Sequence, residues 1–441
     1  MADKNEEKEQ EKEKEFKNNK EQEIISDSEN SDKFSDSEKS EIISDLHIHS
    51  RFSRATSKNI TIENLEKYAK IKGLNLLGTG DFQHPSWFKE LEALEERDGL
   101  LYTKTNFPFL WQTEISLMYS QDGKGRRIHY VILAPSREVV EQIIKFLSSR
   151  GRLDYDGRPI FGFSSIELID AMQSISKDIE IIPAHAWTPW FGIFGSMSGF
   201  DSLKECFQDK AKNIHAIETG MSSDPEMNWK IKELNDKSII SFSDSHSFWP
   251  WRIGREATIF TGKLSYENIL KQIQENSFKA TIETEPAYGK YHFDGHRNCG
   301  FSCSPQETSK LKGICPVCKK QLTIGVENRV EKLSNQETYF HPRKKPFYKL
   351  LPLHELIALA KASTLASRKT WQVYNSLIEK FQNEFNILLH ADKQELARAL
   401  REDEQLVQLI IDNRIANIKV KPGYDGVYGE AMLKEKQEKL F

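Results

Sequence analysis

Histidines and carboxylates of this chain fall together at the ends of short apolar runs, where side chains can converge on one point. In Asp45-Leu46-His47-Ile48-His49-Ser50 the two histidines alternate, so the two-residue period of an extended chain turns both imidazoles to the same side. Further runs close in Thr79-Gly80-Asp81-Phe82-Gln83-His84, Thr113-Glu114, Pro183-Ala184-His185, Ile217-Glu218 and Ser243-Asp244-Ser245-His246, and one more carries Ile128-His129-Tyr130. Imidazole and carboxylate in combination suit Zn, Mn or Fe, and a carboxylate can bridge two ions. A single histidine at a strand end is ordinarily a surface or hydrogen-bonded residue. It is the joint pattern that points to metal, because so many buried charges would be costly without one.

A second set of metal-ligand types lies further on. Four of the five cysteines, Cys299, Cys303, Cys315 and Cys318, fall within twenty residues of one another, which favours a metal site over a disulfide framework. Cys315-Pro316-Val317-Cys318 has the spacing of a zinc knuckle. Its partner pair is open: Cys299 with Cys303, or His296 with Cys299. Cys206 lies alone on a helix-like stretch and reads as an ordinary buried thiol. Beyond the cluster, Tyr339-Phe340-His341-Pro342-Arg343-Lys344-Lys345-Pro346-Phe347-Tyr348-Lys349 interleaves cations and rings, as phosphate contact with base stacking requires. Arg343, Lys344, Lys345 and Lys349 are its candidate phosphate ligands. Trp187, Trp190, Phe191, Phe194, Trp249, Trp251 and Arg252 are dense for loops; Trp187 and Trp190 are candidates for contact with an unstacked base, against packing of a rim.

The elements that must position these residues are legible as periodicity. Seven strands are predicted at 42–48, 74–79, 109–113, 128–134, 179–184, 214–217 and 239–243, and helices at 61–72, 136–149, 164–176, 227–235 and 265–276. The alternation predicts parallel βαβ units, a barrel or a doubly wound sheet, and in an α/β barrel the carboxyl ends of the strands build the active site. Near 286 the pattern gives way to Gly, His, Cys and Pro, with 288–298 reading as loop, and 351–418 returns to helical periodicity for three or four helices. The expected organisation is a tail at 1–41, a metal-bearing domain at 42–285, a cysteine module with the basic segment at 286–350, and a helical region at 351–441.

Composition agrees. A chain of 441 residues with 38% hydrophobic content is sized for two or three domains with real cores. The formal charge of −4 averages an acidic stretch at 1–41, net −7, with a remainder of +3. That stretch is too polar to bury a core and reads as disordered. With no run of eighteen apolar residues and a charged start, neither a membrane span nor a secretory signal is expected, and the expected location is the cytoplasm.

The ordered histidine and carboxylate motifs resemble those of the PHP (polymerase and histidinol phosphatase) metal-dependent phosphoesterases. The resemblance implies a distorted seven-stranded (β/α) barrel with two or three divalent ions, Zn, Mn or Mg. It implies one ion on His47, His49, Glu114 and Asp244, a second on Glu114, His129 and His185, and a third served by Asp81 or His84 with His246. Many members place a further histidine shortly after the first pair; here 50–56 reads Ser-Arg-Phe-Ser-Arg-Ala-Thr. Domain order narrows the likeness. The motifs followed by the cysteine module, then Leu322-Thr323-Ile324-Gly325-Val326, Arg329-Val330 and Pro352-Leu353-His354-Glu355, resemble the endonuclease Q family across about 42–430. That resemblance implies incision of DNA 5′ to uracil, hypoxanthine, xanthine or an abasic site, with His47, Glu114, Asp244 and His246 in catalysis. His84 or His246 would protonate the leaving oxygen. It also implies one structural zinc, damaged DNA as partner, a sliding clamp or other repair proteins as further partners, and a monomer. Two alternatives carry the same motifs: a phosphatase of small phosphomonoesters such as histidinol phosphate, and a non-catalytic DNA-binding repair scaffold.

Overall fold

In the computed structural model, residues 40–401 and 403–433 are described; the predicted tail, apart from Ser40 and Glu41, lies outside them, as do 434–441. Every predicted run contains a strand: Glu41–Asp45, Leu76–Gly78, Pro108–Leu110, Lys124–Leu133, Glu180–Pro183, Ala216–Glu218 and Ser238–Ile240, with Gln112–Gln121 following Pro108–Leu110 across the fully buried Trp111. Helices Ile62–Lys72, Arg137–Ser148, Ser165–Ile175 and Tyr266–Glu275 begin on Thr61, Ser136, Ser164 and Ser265, each accepting a hydrogen bond from a backbone amide of the first turn. Each bears buried apolar residues, and the caps define where each helix begins.

The result is a mixed α/β architecture, but the described strands form separate ladders and no backbone ladder closes them into a barrel. Eight strands make one sheet, ordered Phe347–Lys349, Ala280–Glu283, Ala257–Thr261, Glu41–Asp45, Leu76–Gly78, Pro108–Leu110, Leu100–Tyr102, Glu95–Arg97. Ile160–Phe161, Gln112–Gln121, Lys124–Leu133 and Glu180–Pro183 make a second, and Ala216–Glu218 pairs with Ser238–Ile240. Pairing is parallel from Glu41–Asp45 through Leu76–Gly78 to Pro108–Leu110, as βαβ units require. It is antiparallel between Gln112–Gln121 and Lys124–Leu133, where parallel units were expected. The cause is local. Asp122 and Gly123 both adopt left-handed φ (52° and 73°), making the two-residue turn whose twist matches a hairpin, and Asp98-Gly99 does the same between Arg97 and Leu100. Between Ser238–Ile240 and Ala257–Thr261 the link is a side chain: the Thr258 hydroxyl donates to Ser241 O and accepts from Ser241 N.

The predicted helix at 227–235 is broken into the turn Pro225–Asn228 and a short 3₁₀ segment, Lys232–Leu234. A neighbouring segment takes its backbone: Lys230 O accepts from the amides of Asn335 and Gln336, and Lys232 N donates to the Asn335 side chain at 2.7 Å. Tertiary partners outbid helical periodicity there. Part of 288–298, read as loop, is the strand Asp294–His296, which pairs antiparallel with Phe301–Cys303.

Helices Leu353–Lys361, Arg368–Phe381, Lys393–Ala399 and Glu404–Arg414, with a π turn at Asn386–His390, form the four-helix C-terminal region. They are pinned to the sheets by a buried ion pair. Lys72 Nζ lies 2.7 Å from Glu384 Oε1 and 2.9 Å from Pro250 O, and Glu384 also accepts from Leu353 N and Tyr374 Oη. Both side chains are at most 1% exposed. Glu384→Ala strands a buried ammonium and is expected to cost about 3–5 kcal/mol in denaturant unfolding. A Lys72→Met, Glu384→Leu double variant should recover most of that loss; equal instability in the two would show that packing, not the uncompensated charge, sets the cost. No helix among the described residues is long and apolar enough to cross a membrane.

Candidate metal centre

Segments 45–49 and 243–246 lie alongside each other beyond their strands. Ile48 bridges Ser245 in parallel, His49 N donates to Ser245 O at 2.9 Å and Ser245 N to His47 O at 3.3 Å. Asp45 ties the junction, accepting from Ser243 N (3.0 Å), Ser243 Oγ (2.5 Å) and Gly254 N (2.8 Å). Asp244 is thereby brought to the two histidines.

His47, His49, Glu114 and Asp244 each offer a ligand atom within 4.8 Å of the others, and Glu114, His129 and His185 form a second group by the same measure. Glu114 belongs to both. Its Oε2 is 3.1 Å from His49 Nε2, and its Oε1 is 2.8 Å from His129 Nδ1 and 3.2 Å from His185 Nε2. The ring orientations suit coordination. His47 Nδ1 donates to Glu218 at 2.8 Å and His49 Nδ1 to Asp81 at 3.0 Å, which leaves each Nε2 to carry the lone pair. His47 Nε2 is buried without a hydrogen-bond partner, an orphaned acceptor that an ion would satisfy. These donors fit divalent ions.

Electrostatics says the same. Burial disfavours a charged His47, yet Glu218, Asp244 and Glu114 raise its pKa well above the ordinary histidine value. His49 is likewise pushed down by burial and raised further by Asp81, Asp244 and Glu114. Burial would raise Glu114, but His129, Arg158 and His47 hold it well below the carboxylate range. Carboxylates thus crowd the two histidines and draw them toward the charged form, a demand for positive charge that divalent ions held there would meet. His129, buried, is lowered to about 4 and stays neutral, as a ligand must.

Asp81, His84 and His246, expected at a third ion, join neither group. Asp81 accepts from His49, Ser50 N (2.7 Å), Ser50 Oγ (2.6 Å) and Ser53 Oγ (2.9 Å), so it orients His49. His84 stacks on Phe52, ring centres 4.2 Å apart. His246 Nδ1 donates to Asp244 O at 3.0 Å, and its ring lies 4.5 Å from His49. Asp81, His185 and Asp244 all have left-handed φ (41°, 31° and 49°), strain that recurs at functional sites.

At the second cluster the converging group is His296, Cys299, Cys315 and Cys318. His296 Nδ1 lies 3.2 Å from Cys299 Sγ and 3.3 Å from Cys318 Sγ. Cys303 stands apart, 3.2 Å from Thr308 Oγ1. The Cys315 thiol, which burial would raise, is lowered to about 7 by the amides of Cys318 and Val317, which favours the thiolate a metal needs.

The basic and aromatic residues divide. Lys349 is held by Asp224 (2.8 Å) and Glu285 (3.1 Å), Arg343 donates to Asp236 O and Glu275 O, and Lys345 lies over Phe278. All three bind this segment to the fold. Lys344 is exposed, with its ammonium 5.3 Å from the Trp229 ring centre. Trp187 is fully buried, its Nε1 donating to Asn228 at 2.7 Å, whereas Trp190 packs edge-on against Tyr291. Trp249 and Trp251 pack on Trp371 of the helical region.

Sequence reasoning passed over Arg158, whose Nη1 donates to Glu114 Oε2 at 3.0 Å, and the role of Glu218 behind His47. Arg158 lies in the irregular stretch 150–159, where no periodicity marks it; the Asp156-Gly157 turn is its one local sign.

A crystal structure of the lesion-specific endonuclease PfuEndoQ from Pyrococcus furiosus superposes with a TM-score of 0.80 at 28% identity, covering 91% of this chain and 98% of that one. In fold the chain resembles endonuclease Q over nearly its whole length. A second endonuclease Q structure, in complex with a 27-mer duplex carrying an abasic lesion at the active site, matches at a TM-score of 0.81 and 29% identity over 90% of this chain and 98% of that one. Residues 352–415 match the family described as the MJ0043 C-terminal domain. The uncharacterized protein MJ0043 of Methanocaldococcus jannaschii is 32% identical over 257 residues, 57% of this chain and 32% of that protein. The chain thus spans about a third of that relative's length. Uncharacterized YqxK of Bacillus subtilis is 27% identical over 85% of this chain and 93% of its own. The four C-terminal helices coincide with the match at 352–415, whereas the likeness to MJ0043 itself extends over 257 residues.

Proposed function

We propose that the chain is a metal-dependent DNA repair endonuclease that hydrolyses the phosphodiester 5′ to a deaminated base or an abasic site. The observation that carries this reading is the pair of donor groups sharing Glu114. Support also comes from the likeness to endonuclease Q bound to an abasic duplex. His47, His49, Glu114 and Asp244 would hold one divalent ion, Zn, Mn or Mg, and Glu114, His129 and His185 a second, in a PHP-type site. Ions so held supply acidification of water and stabilisation of charge on phosphate oxygens.

This chain's residues do the rest. Glu218 and Asp81 fix the tautomers of His47 and His49, and Glu114 sets the spacing of the two groups. His246, anchored through Nδ1 to Asp244 O, would hand a proton to the leaving oxygen. A water oxygen bonds to phosphorus and gives up a proton to solvent, the bond from phosphorus to the 3′ oxygen breaks, and that oxygen takes the proton from His246 and leaves as a hydroxyl, with the phosphate on the 5′ side of the lesion. A lesion that pairs poorly costs less to swing out of the stack, which supplies selectivity. Organisation into 42–285, 286–350 and 351–441 gives the centre, a zinc module on His296, Cys299, Cys315 and Cys318, and a helical support. Exposed Lys310, Lys312, Lys319 and Lys320 around the knuckle, with Lys344, suit contact with phosphates.

The test is a labelled duplex with one abasic site, deoxyuridine or deoxyinosine, incubated with Mg²⁺ or Mn²⁺. Nicking on the 5′ side of the lesion, stopped by EDTA, is expected. Equal nicking of the undamaged duplex removes lesion specificity, and rapid hydrolysis of histidinol phosphate without nicking makes the chain a phosphatase.

A further inference from the structure

We infer that Arg158 is a catalytic residue, a guanidinium clamp that binds the non-bridging oxygens of the scissile phosphate beside the two metal groups. The inference rests on the reading above that the centre cleaves phosphodiesters. It starts from placement: Nη1 of Arg158 is 3.0 Å from Glu114 Oε2, the oxygen facing His49, and 27% of the side chain remains open at the mouth of the site.

The loop that carries Arg158 is fixed. Asp156 accepts from Arg158 N (3.1 Å) and Arg54 N (3.2 Å) and lies 3.2 Å from Arg54 Nε. Gly157 N donates to Phe52 O at 3.0 Å, and Gly157 O accepts from the Gln83 amide. Gly157 is pressed so close to the centre that a Cβ there would collide with Asp81 Oδ2 and Ser53 Oγ. The backbone at Arg158 therefore cannot move away without dismantling contacts to 50–54 and 81–83, and Glu114 holds the side chain inward.

Charge then decides its role. With both donor groups loaded, Glu114 would serve both divalent ions, and the guanidinium beside it would face like charge. Glu114 offsets part of that repulsion, and an anion seated between the guanidinium and the ions would offset the rest. A phosphodiester fits: it offers two non-bridging oxygens, which the planar fork of an arginine matches with two parallel hydrogen bonds. The transition state carries more charge on those oxygens than the ground state, so the clamp binds it more tightly.

The experiment uses the full-length, metal-loaded enzyme with Arg158→Gln and Arg158→Lys. Three quantities are read: bound ions by elemental analysis, kcat and KM on the abasic duplex, and hydrolysis of bis(p-nitrophenyl) phosphate. Arg158→Gln is expected to retain the wild-type ion content and to lose about 10²–10³-fold in kcat. Arg158→Lys, which keeps the charge without the fork, should lose about tenfold. Wild-type kcat in Arg158→Gln overturns the inference, and so does loss of an ion, which would make Arg158 a prop for Glu114. If the Gln variant does not fold, Arg158→Lys decides alone: a tenfold loss with ions retained upholds the clamp, and an unchanged kcat removes it. The small diester separates the two readings. A wild-type enzyme inert on lesion DNA but active on bis(p-nitrophenyl) phosphate, with that activity lost in Arg158→Gln, refutes the DNA substrate and keeps the clamp.

Discussion

Glu114→Gln is expected to lower kcat for incision by at least about 10³-fold and to reduce the ion content at both donor groups. Glu114 is fully buried and is the one residue common to the two groups. Its Oε1 faces His129 and His185, while Oε2 faces His49 and Arg158. An amide keeps the shape and one carbonyl oxygen, but removes the negative charge and turns donor hydrogens toward one group or the other. Asp244 alone then remains as a ligating carboxylate. Metal analysis, steady-state incision and circular dichroism on the purified variant check this. Activity within tenfold of wild type, with ions retained, would remove Glu114 from the centre and take the two-group reading with it.

Cys315→Ser is expected to release the ion of the second cluster and to open the hairpin of Asp294–His296 and Phe301–Cys303. A structural zinc of this kind contributes on the order of 10–16 kcal/mol to the fold it holds. The hydrophobic cluster around Cys303, Cys315 and Leu322 is too small to replace it. Hydrogen exchange across 291–325 should rise to unprotected rates, whereas bis(p-nitrophenyl) phosphate hydrolysis, which needs only the first centre, should stay within about threefold. Cys303→Ser is the contrasting variant. Cys303 lies outside the converging group, and its thiol meets Thr308, so the ion should remain and the cost should be about 1 kcal/mol. Loss of the ion from Cys303→Ser, with retention in His296→Ala, would reverse the assignment.

Much of the centre was legible because strand ends announce themselves: a short apolar run that stops in His, Asp or Glu is a local pattern, and it pointed to His47, His185 and Asp244 without tertiary information, whereas Glu114, read as the end of a run, lies inside the strand Gln112–Gln121. Pairing direction was not legible from alternation alone, though Asp122-Gly123 between two extended stretches marks the hairpin that replaces a parallel unit. Asp81 and His84 share a strand end with the ligands but differ in what lies opposite. Hydroxyls of Ser50 and Ser53 engage the first, and the Phe52 ring covers the second. Such a difference is set by residues thirty positions away. The same holds for Arg343 and Lys349, whose cationic pattern reads as phosphate binding until Asp236, Glu275, Asp224 and Glu285 are in place. Arg158 was invisible for the opposite reason, since its loop has no period and its position depends on Gly157 wedged against Asp81.

The Lys72–Glu384 pair bears on how the protein is made. Its members are separated by 312 residues, so at about 5–20 residues per second the ribosome takes roughly 15–60 s to deliver the carboxylate after the lysine has emerged. Throughout that interval the helix Ile62–Lys72 cannot bury its last residue at low cost. Lys72 is therefore synthesised early but buried late, and nascent chains halted before Glu384 leave that end of the helix unsealed.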